Sequence, residues 1–221
     1  MNDADQAVLI RRIASVVGHE LRNPMAVINN SAYFVRAKLG AANVDPKVEK
    51  HLKIIESEIA RADRLISDIL SYSRPCEPMK ETKEFDAILE SALKTYAAPA
   101  GGKVEAKLGA KGVEVKADTK LLGDSLKRLL DNAFDAMDGK GTAKVSSGVG
   151  KEGVWVAVTD AGTGVDLKVK GALFEPFTTT KPRGLGLGLA LSKKVLEAQG
   201  GFADYQPGAK GSTFRLVLPK A

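Results

Sequence analysis

His19, Glu20, Asn23 and Pro24 sit in the stretch VVGHELRNPMAV, residues 16–27, whose other residues have helical character. An imidazole is a nucleophile at neutral pH, and an adjacent carboxylate can orient the ring, hold its tautomer and accept a proton. At about 100° per residue, His19 falls nearly opposite the apolar line Leu21, Ile28, Val35 and Leu39, so it is expected to face solvent. Asn23 lies one turn on and nearly on the same face, where its amide can position a water or a substrate beside the ring. Pro24 has no N–H and leaves the carbonyl of Glu20 without its usual partner, so a local kink is expected here. A lone helical histidine is most often an ordinary residue; it is the neighbours that point to chemistry.

Three further stretches carry a different chemistry. VTDAGTGVD, 158–166, leaves a strand with an acid and two glycines. Asp160 is suited to accept a hydrogen bond from an exocyclic amine, and Gly162 and Gly164 let the backbone approach a ligand. RGLGLGLALSKK, 183–194, runs Gly184, Gly186 and Gly188 directly into an amphipathic helix. N–H groups at such a start suit phosphate oxygens. The spacing matches neither a P-loop nor the GxGxxG dinucleotide turn, so another kind of nucleotide site is required. LLDNAFDAM, 129–137, puts Asn132 on a helix among apolar neighbours, as a reasonable Mg²⁺ ligand where phosphate and water complete the shell.

Two regimes of periodicity position these residues, and they meet near Arg74-Pro75-Cys76-Glu77-Pro78. Before that point a first helix is expected from about Ala4 to Leu39, then a turn at Gly40–Pro46 with Asp45 as N-cap and Pro46 at the first helical position. In the second helix Val48, Leu52, Ile55, Ile59, Ala62, Ile66 and Ile69 alternate steps of four and three, the a/d seam of a bundle helix. Two helices bury too little alone, so a symmetric dimer forming a four-helix bundle is the economical completion. Beyond Pro78, helices are expected at 85–97, 119–137 and 187–199. Strands are expected at 103–108, 113–116, 142–149, 153–159, 201–206 and 212–218, which together read as an α/β or α+β domain.

The 221 residues are 44% hydrophobic and 27% charged, a globular composition. The formal charge of +6 is spread along the chain among acidic residues and aromatics are few, which argues against a nucleic-acid groove. Cys76 is the only cysteine, so neither a disulfide framework nor a cysteine zinc site is available. No apolar run approaches the roughly 18 residues of a membrane span. The N-terminus has the wrong charge order for a signal peptide, and a cytoplasmic location is expected.

HELRNP at 19–24, the helix holding Asn132, DAGTG at 160–164, FEPFTTTK at 174–181 and GLGLGLAL at 184–191 resemble, in order, the H, N, G1, F and G2 boxes of sensor histidine kinases. The resemblance spans essentially the whole chain. It implies a dimerisation and histidine-phosphotransfer domain at 1–74, a helical hairpin completing a dimeric four-helix bundle, and at 79–221 a catalytic domain that is an α/β sandwich of the GHKL ATP-binding type. His19 would be the phospho-accepting nucleophile, Glu20 its orienting base, and Asn23 the residue used in removing phosphate from the partner. Asp160 would bind the adenine amine of ATP and Asn132 the Mg²⁺. Gly162, Gly164, Gly184, Gly186 and Gly188 would shape the pocket and lid, Phe174 and Phe177 would anchor the lid, and Lys181 or Arg183 would offset phosphate charge. The phosphohistidine would then supply an aspartate of a response-regulator receiver domain.

Two positions depart from the family pattern. Arg128 stands where many relatives have a second asparagine, and Asp135 where a basic residue often contacts phosphate. They keep open an alternative, a phosphotransfer scaffold without catalysis, although Asp160 and the lid glycines argue against it. No sensor or receiver segment is read in the chain, so its signal is expected from a separate sensor protein or from a sensor domain of a longer protein.

Overall fold

The computed structural model describes residues 3–39, 45–166, 168–181, 184–208 and 210–221, with side chains from Ala14 onward. The chain divides into two compact units, Met1–Pro75 and Cys76–Ala221.

The first unit is a helical hairpin, α1 at Asp3–Leu39 and α2 at Pro46–Ser73. Asp45 caps α2 by accepting the Lys47 N–H at 2.8 Å, and Pro46 opens it. The helix α1 continues through Pro24. Its packing face differs from the apolar line read in the sequence. Gly18 and Ala32 are buried, and at helical spacing with them Arg22 reaches Asp63 and Ser67 of α2 at 2.7 and 2.8 Å while Arg36 reaches Glu49 and Glu56. A Cβ on Gly18 would stand 3.0 Å from Ile66 Cγ2 and 3.1 Å from Leu70 Cδ1, so glycine lets the helices close beside His19. Leu21, Ile28, Val35 and Leu39 are instead 43–50% exposed. The α2 seam splits in the same way: Leu52 and Ile66 are buried, joined by Leu70, whereas Val48, Ile55 and Ile69 stay exposed. Within one hairpin, salt-bridged arginines and small residues make the contact, and much of the apolar surface is left over.

The second unit contains β1 Glu81–Glu84, α3 Phe85–Lys94, β2 Gly102–Lys107, β3 Glu114–Ala117, α4 Thr119–Ala136, β4 Gly141–Gly150, β5 Gly153–Thr159, a 3₁₀ turn Lys170–Ala172, α5 Gly188–Ala198, β6 Phe202–Pro207 and β7 Ser212–Leu218. Five strands form one sheet in the order β2-β4-β5-β7-β6, parallel only between β2 and β4, and β1 pairs antiparallel with β3. Alternation along β5 and β7 turns Val154, Val156, Val158, Phe214, Leu216 and Leu218 toward the helices. There α4 packs on β4 and β5, α5 packs on β6 and β7, and α3 leans on α4. Phe85, Leu89, Leu122, Leu126, Leu130 and Leu196 fill the space between, each essentially inaccessible. This is an α/β sandwich following a helical hairpin. The strand β1, four mostly exposed residues, has too little patterning to be read in advance, and α3 stops at Lys94, with Thr95 as its C-cap and the Thr95 hydroxyl bonding back to the Ala92 carbonyl.

Candidate functional site

On the hairpin, the side chains of His19 and Glu20 are 76% and 72% exposed, with His19 Nδ1 3.7 Å from Glu20 Oε1. That separation exceeds a hydrogen bond, so the carboxylate lies beside the ring without bonding to it. Asn23 and Pro24 are exposed as well. The sequence reading of a solvent-facing imidazole agrees with this geometry, and Gly18, which the reading passed over, lies one residue before it.

In the sheet unit, helix α4 is fixed at its start by Asp118, which accepts the N–H groups of Leu121 and Met79 at 2.9 Å each, while its own N–H donates to Gln199 Oε1. Leu122, Leu126, Leu129, Leu130 and Ala133 face the core. The residues between them, Arg128, Asp131, Asn132 and Asp135, therefore share the opposite face at spacings of three and four. Asn132 Oδ1 accepts a hydrogen bond from Lys181 Nζ at 2.8 Å, and Asp135 Oδ2 accepts one from the same ammonium at 2.8 Å. Tyr96 donates to Asp131 at 2.8 Å and stacks on Phe134.

Asp160 follows β5 and is 3% exposed. Its backbone N–H donates to the Ser212 carbonyl and its carboxyl accepts the Gly162 N–H, both at 2.9 Å. Burial pushes the carboxyl above the ordinary carboxylate range, against the pull of the Gly162 and Ser212 N–H groups and the Lys181 charge. Gly162 presses on the end of α4: a Cβ there would lie 2.3 Å from the Ala136 carbonyl oxygen, to which the Thr163 N–H donates at 3.2 Å. Gly164 has φ +74°, open to glycine. Gly211, unremarked in the sequence, backs Asp160 with φ +80°, and a Cβ there would meet the Asp160 carbonyl at 2.1 Å. The signal for it was present, since GAKGST, 208–213, is a glycine turn entering a strand. Beside it the Thr159 and Thr213 hydroxyls lie 2.9 Å apart.

The glycine run before α5 divides by role. Gly186, at φ +68°, has no room for a Cβ, which would come within 2.5 Å of the Thr178 carbonyl. A Cβ on Gly184 would stand 3.2 Å from Thr179 Oγ1, tight but against a side chain, and Gly188 opens α5 with nothing within 4 Å of a Cβ position. Arg183 lies outside the described residues. Phe174 meets Phe214 edge-on at 6.4 Å and so ties the connecting segment to the core. Phe177 does not: it is 66% exposed, and φ +62° turns it away. Lys181, Asn132, Asp135, Asp160 and Gly162 thus belong to one region formed by the α4 face, the turn after β5 and the segment leading to α5. Among the described residues no three His, Cys, Asp or Glu side chains cluster so as to hold a metal by themselves, and no helix is long and apolar enough to cross a membrane.

Two family profiles match the chain: His Kinase A (phospho-acceptor) domain over residues 9–76, and Histidine kinase-, DNA gyrase B-, and HSP90-like ATPase over residues 117–221. The chain is similar to the signal transduction histidine-protein kinase AtoS of Escherichia coli K12, 29% identical over 224 residues, which cover 99% of this chain and 36% of AtoS. It therefore spans little more than a third of that relative's length. Among solved structures it is similar to full-length ShkA in complex with AMPPNP, with TM-score 0.71 at 20% identity over 95% of this chain and 46% of that one. It is also similar to histidine kinase ThkA in complex with the response regulator protein TrrA, with TM-score 0.68 at 23% identity over 99% and 64%. At such identities the two structures speak for the fold.

Proposed function

The chain belongs to the histidine kinase family, and from that premise we propose that it is an ATP-dependent protein kinase that phosphorylates itself on His19 and passes the phosphoryl group to an aspartate of a response-regulator receiver domain. The observation that carries this reading is the union in one chain of an exposed imidazole, on a hairpin matched as phospho-acceptor, with a buried carboxylate and glycine-cradled backbone in a domain matched as an ATPase. That ShkA was solved with AMPPNP and ThkA with a response regulator supports the same assignment of substrate and partner.

Asp160 is suited to the adenine amine. The Gly162 N–H uses one of its oxygens, and an ionised carboxylate keeps further lone pairs for a donor. Gly162 and Gly164 keep the neighbouring backbone free of side chains, and the segment from Lys181 to Gly188 leads into a helix N-terminus, where phosphate oxygens find N–H groups. Mg²⁺ fits the donor chemistry: Asn132 offers a hard oxygen that already faces a cation, the Lys181 ammonium, and Mg²⁺ is commonly held by one or two protein oxygens with phosphate and water completing six. When bound, the ion supplies neutralisation of phosphate charge.

At His19 the Glu20 carboxylate lies on the Nδ1 side of the ring, which leaves Nε2 as the nucleophile. Nε2 forms a bond to the γ-phosphorus as the bond from phosphorus to the β,γ-bridging oxygen breaks, and ADP departs with that electron pair. In the second step a carboxylate oxygen of the receiver aspartate replaces Nε2 on phosphorus and the imidazole is regenerated. Little covalent work falls to the protein, so positioning and charge carry the catalysis. The uncovered line Leu21, Ile28, Val35 and Leu39 is what a second copy of the hairpin would cover to make a four-helix bundle, so the working form is a homodimer.

Incubation with γ-labelled ATP and Mg²⁺ tests the reading. Acid-labile, alkali-stable label is expected on the wild type and is absent from His19→Ala. Label that survives His19→Ala would overturn the assignment of the nucleophile, and wild type that binds ATP but takes no label would overturn the kinase.

A further inference from the structure

Asp135 is a misfit beside a polyphosphate unless something neutralises it, since it is exposed and carries the same sign as the ligand proposed for this region. The structure supplies the neutralising group. Lys181, from the segment between β5 and α5, donates through Nζ to Asp135 Oδ2 and to Asn132 Oδ1 at 2.8 Å each. The same ammonium is close enough to Asp160 to pull its carboxyl pKa down. One charge on a connecting segment thus touches the proposed metal-ligand amide and a helix acid, and acts on the proposed adenine carboxylate. The segment is fixed on either side of Lys181 by other means, through Phe174 against Phe214 and through Gly186 against the Thr178 carbonyl. Among the described residues, the Lys181 hydrogen bonds tie the part between to α4.

We infer that Asp135 is a positioning residue for ATP: it docks Lys181 on helix α4, so that a cation carried by the connecting segment is held ready for the nucleotide's phosphates next to Asn132. This rests on the ATP reading above. Asp135 and Lys181 form a neutral pair whose ammonium has a third N–H left for a phosphate oxygen. Without Asp135 the lysine swings on its own flexible stem and loses that preorganisation. Without Lys181 the acid stands unopposed against the phosphates.

The test compares wild type with Asp135→Ala, Asp135→Glu, Lys181→Met and the double variant Asp135→Ala/Lys181→Met. Competition against a fluorescent ATP analogue measures the affinities of ATP and adenosine, and hydrogen exchange over residues 175–181 is followed in nucleotide-free protein. Asp135→Ala is expected to weaken ATP roughly threefold, the scale of an exposed ion pair, while adenosine binding stays unchanged. The double variant is no weaker than Lys181→Met, Asp135→Glu keeps most of the affinity, and exchange over 175–181 quickens in Asp135→Ala and Lys181→Met alike. Wild-type binding with ATP affinity unchanged or tightened in Asp135→Ala overturns the positioning role alone, as do losses that multiply in the double variant. Wild type that binds neither ATP nor adenosine overturns the nucleotide reading and this inference with it.

Discussion

Alanine at position 162 would bring a Cβ to 2.3 Å from the carbonyl oxygen of Ala136. An unstrained carbon-to-oxygen contact is about 3.3 Å, so the overlap is on the order of 1 Å. The obstacle is backbone at the end of α4, which cannot rotate aside as a side chain would. Relief requires the turn at 160–164 to move off the helix, and the Thr163 N–H to Ala136 carbonyl bond at 3.2 Å is lost with it. The broken bond contributes about 1 kcal/mol and the forced shift about 2 kcal/mol, for a total of about 3 kcal/mol. In a unit of this size each kcal/mol moves the unfolding midpoint by about 3 °C, so Gly162→Ala is expected to melt roughly 10 °C early. Gly188→Ala is the control. It adds the same methyl where nothing lies within 4 Å, at the first turn of α5, and should be neutral or gain a few tenths of a kcal/mol, up to about 1. Trp155, the only tryptophan, lies in β5, so its fluorescence during thermal unfolding reports on this unit without interference from the hairpin. Equal midpoints for the two variants would refute the claim that the first glycine motif is a packing constraint on α4.

Asp160→Asn should raise the midpoint of the same unit at pH 7 while abolishing ATP binding. Burial lifts the folded pKa of the carboxyl above the unfolded value of 3.8, so the native state holds the extra proton between the two, and above the folded value the buried charge weighs against the fold. The advantage of asparagine therefore shrinks as pH falls through the raised value, and an advantage that grows on acidification would contradict the burial argument. Ile28→Glu and Leu21→Glu, each on the uncovered face of α1, should convert a dimer to a monomer in analytical ultracentrifugation while the hairpin stays helical by circular dichroism. A dimer that survives both substitutions removes that face from the interface.

The periodic parts of the fold were legible and the coupled parts were not. Val154, Val156 and Val158 alternate and Leu122, Leu126 and Leu129 repeat at helical spacing, so β5 and α4 are readable from local pattern alone. The face of α1 that meets α2 was not legible because Gly18, Ala32 and two arginines do not look like an interface until Ile66, Leu70, Asp63 and Glu56 are seen opposite them. At the candidate site, His19, Asp160 and the glycines were singled out by residue type and spacing. Gly211 and the pairing of Lys181 with Asp135 depend on contacts across 46 and more residues of chain, which no local window contains. Phe177 was taken for an anchor from its motif, whereas its positive φ is a property of the folded turn.

The strands β5 and β7 are neighbours in register from Val154 opposite Leu218 to Thr159 opposite Thr213, although the segment containing Phe174, Lys181 and all of α5 lies between them in the chain. Pairing them closes a long loop, and the entropy of closure rises only with the logarithm of loop length, about 0.6 kcal/mol for each doubling. Residues inserted or deleted between Gly164 and Phe174, clear of the turn that packs on α4, thus change the stability of the sheet little, whereas the same change in the tight β4–β5 hairpin, where Gly150 pairs with Gly153, displaces the register of β5 against β4. The stretch from Gly164 to Phe174 is a place where length can drift between generations at small thermodynamic cost, and it leads into the segment that carries the cation.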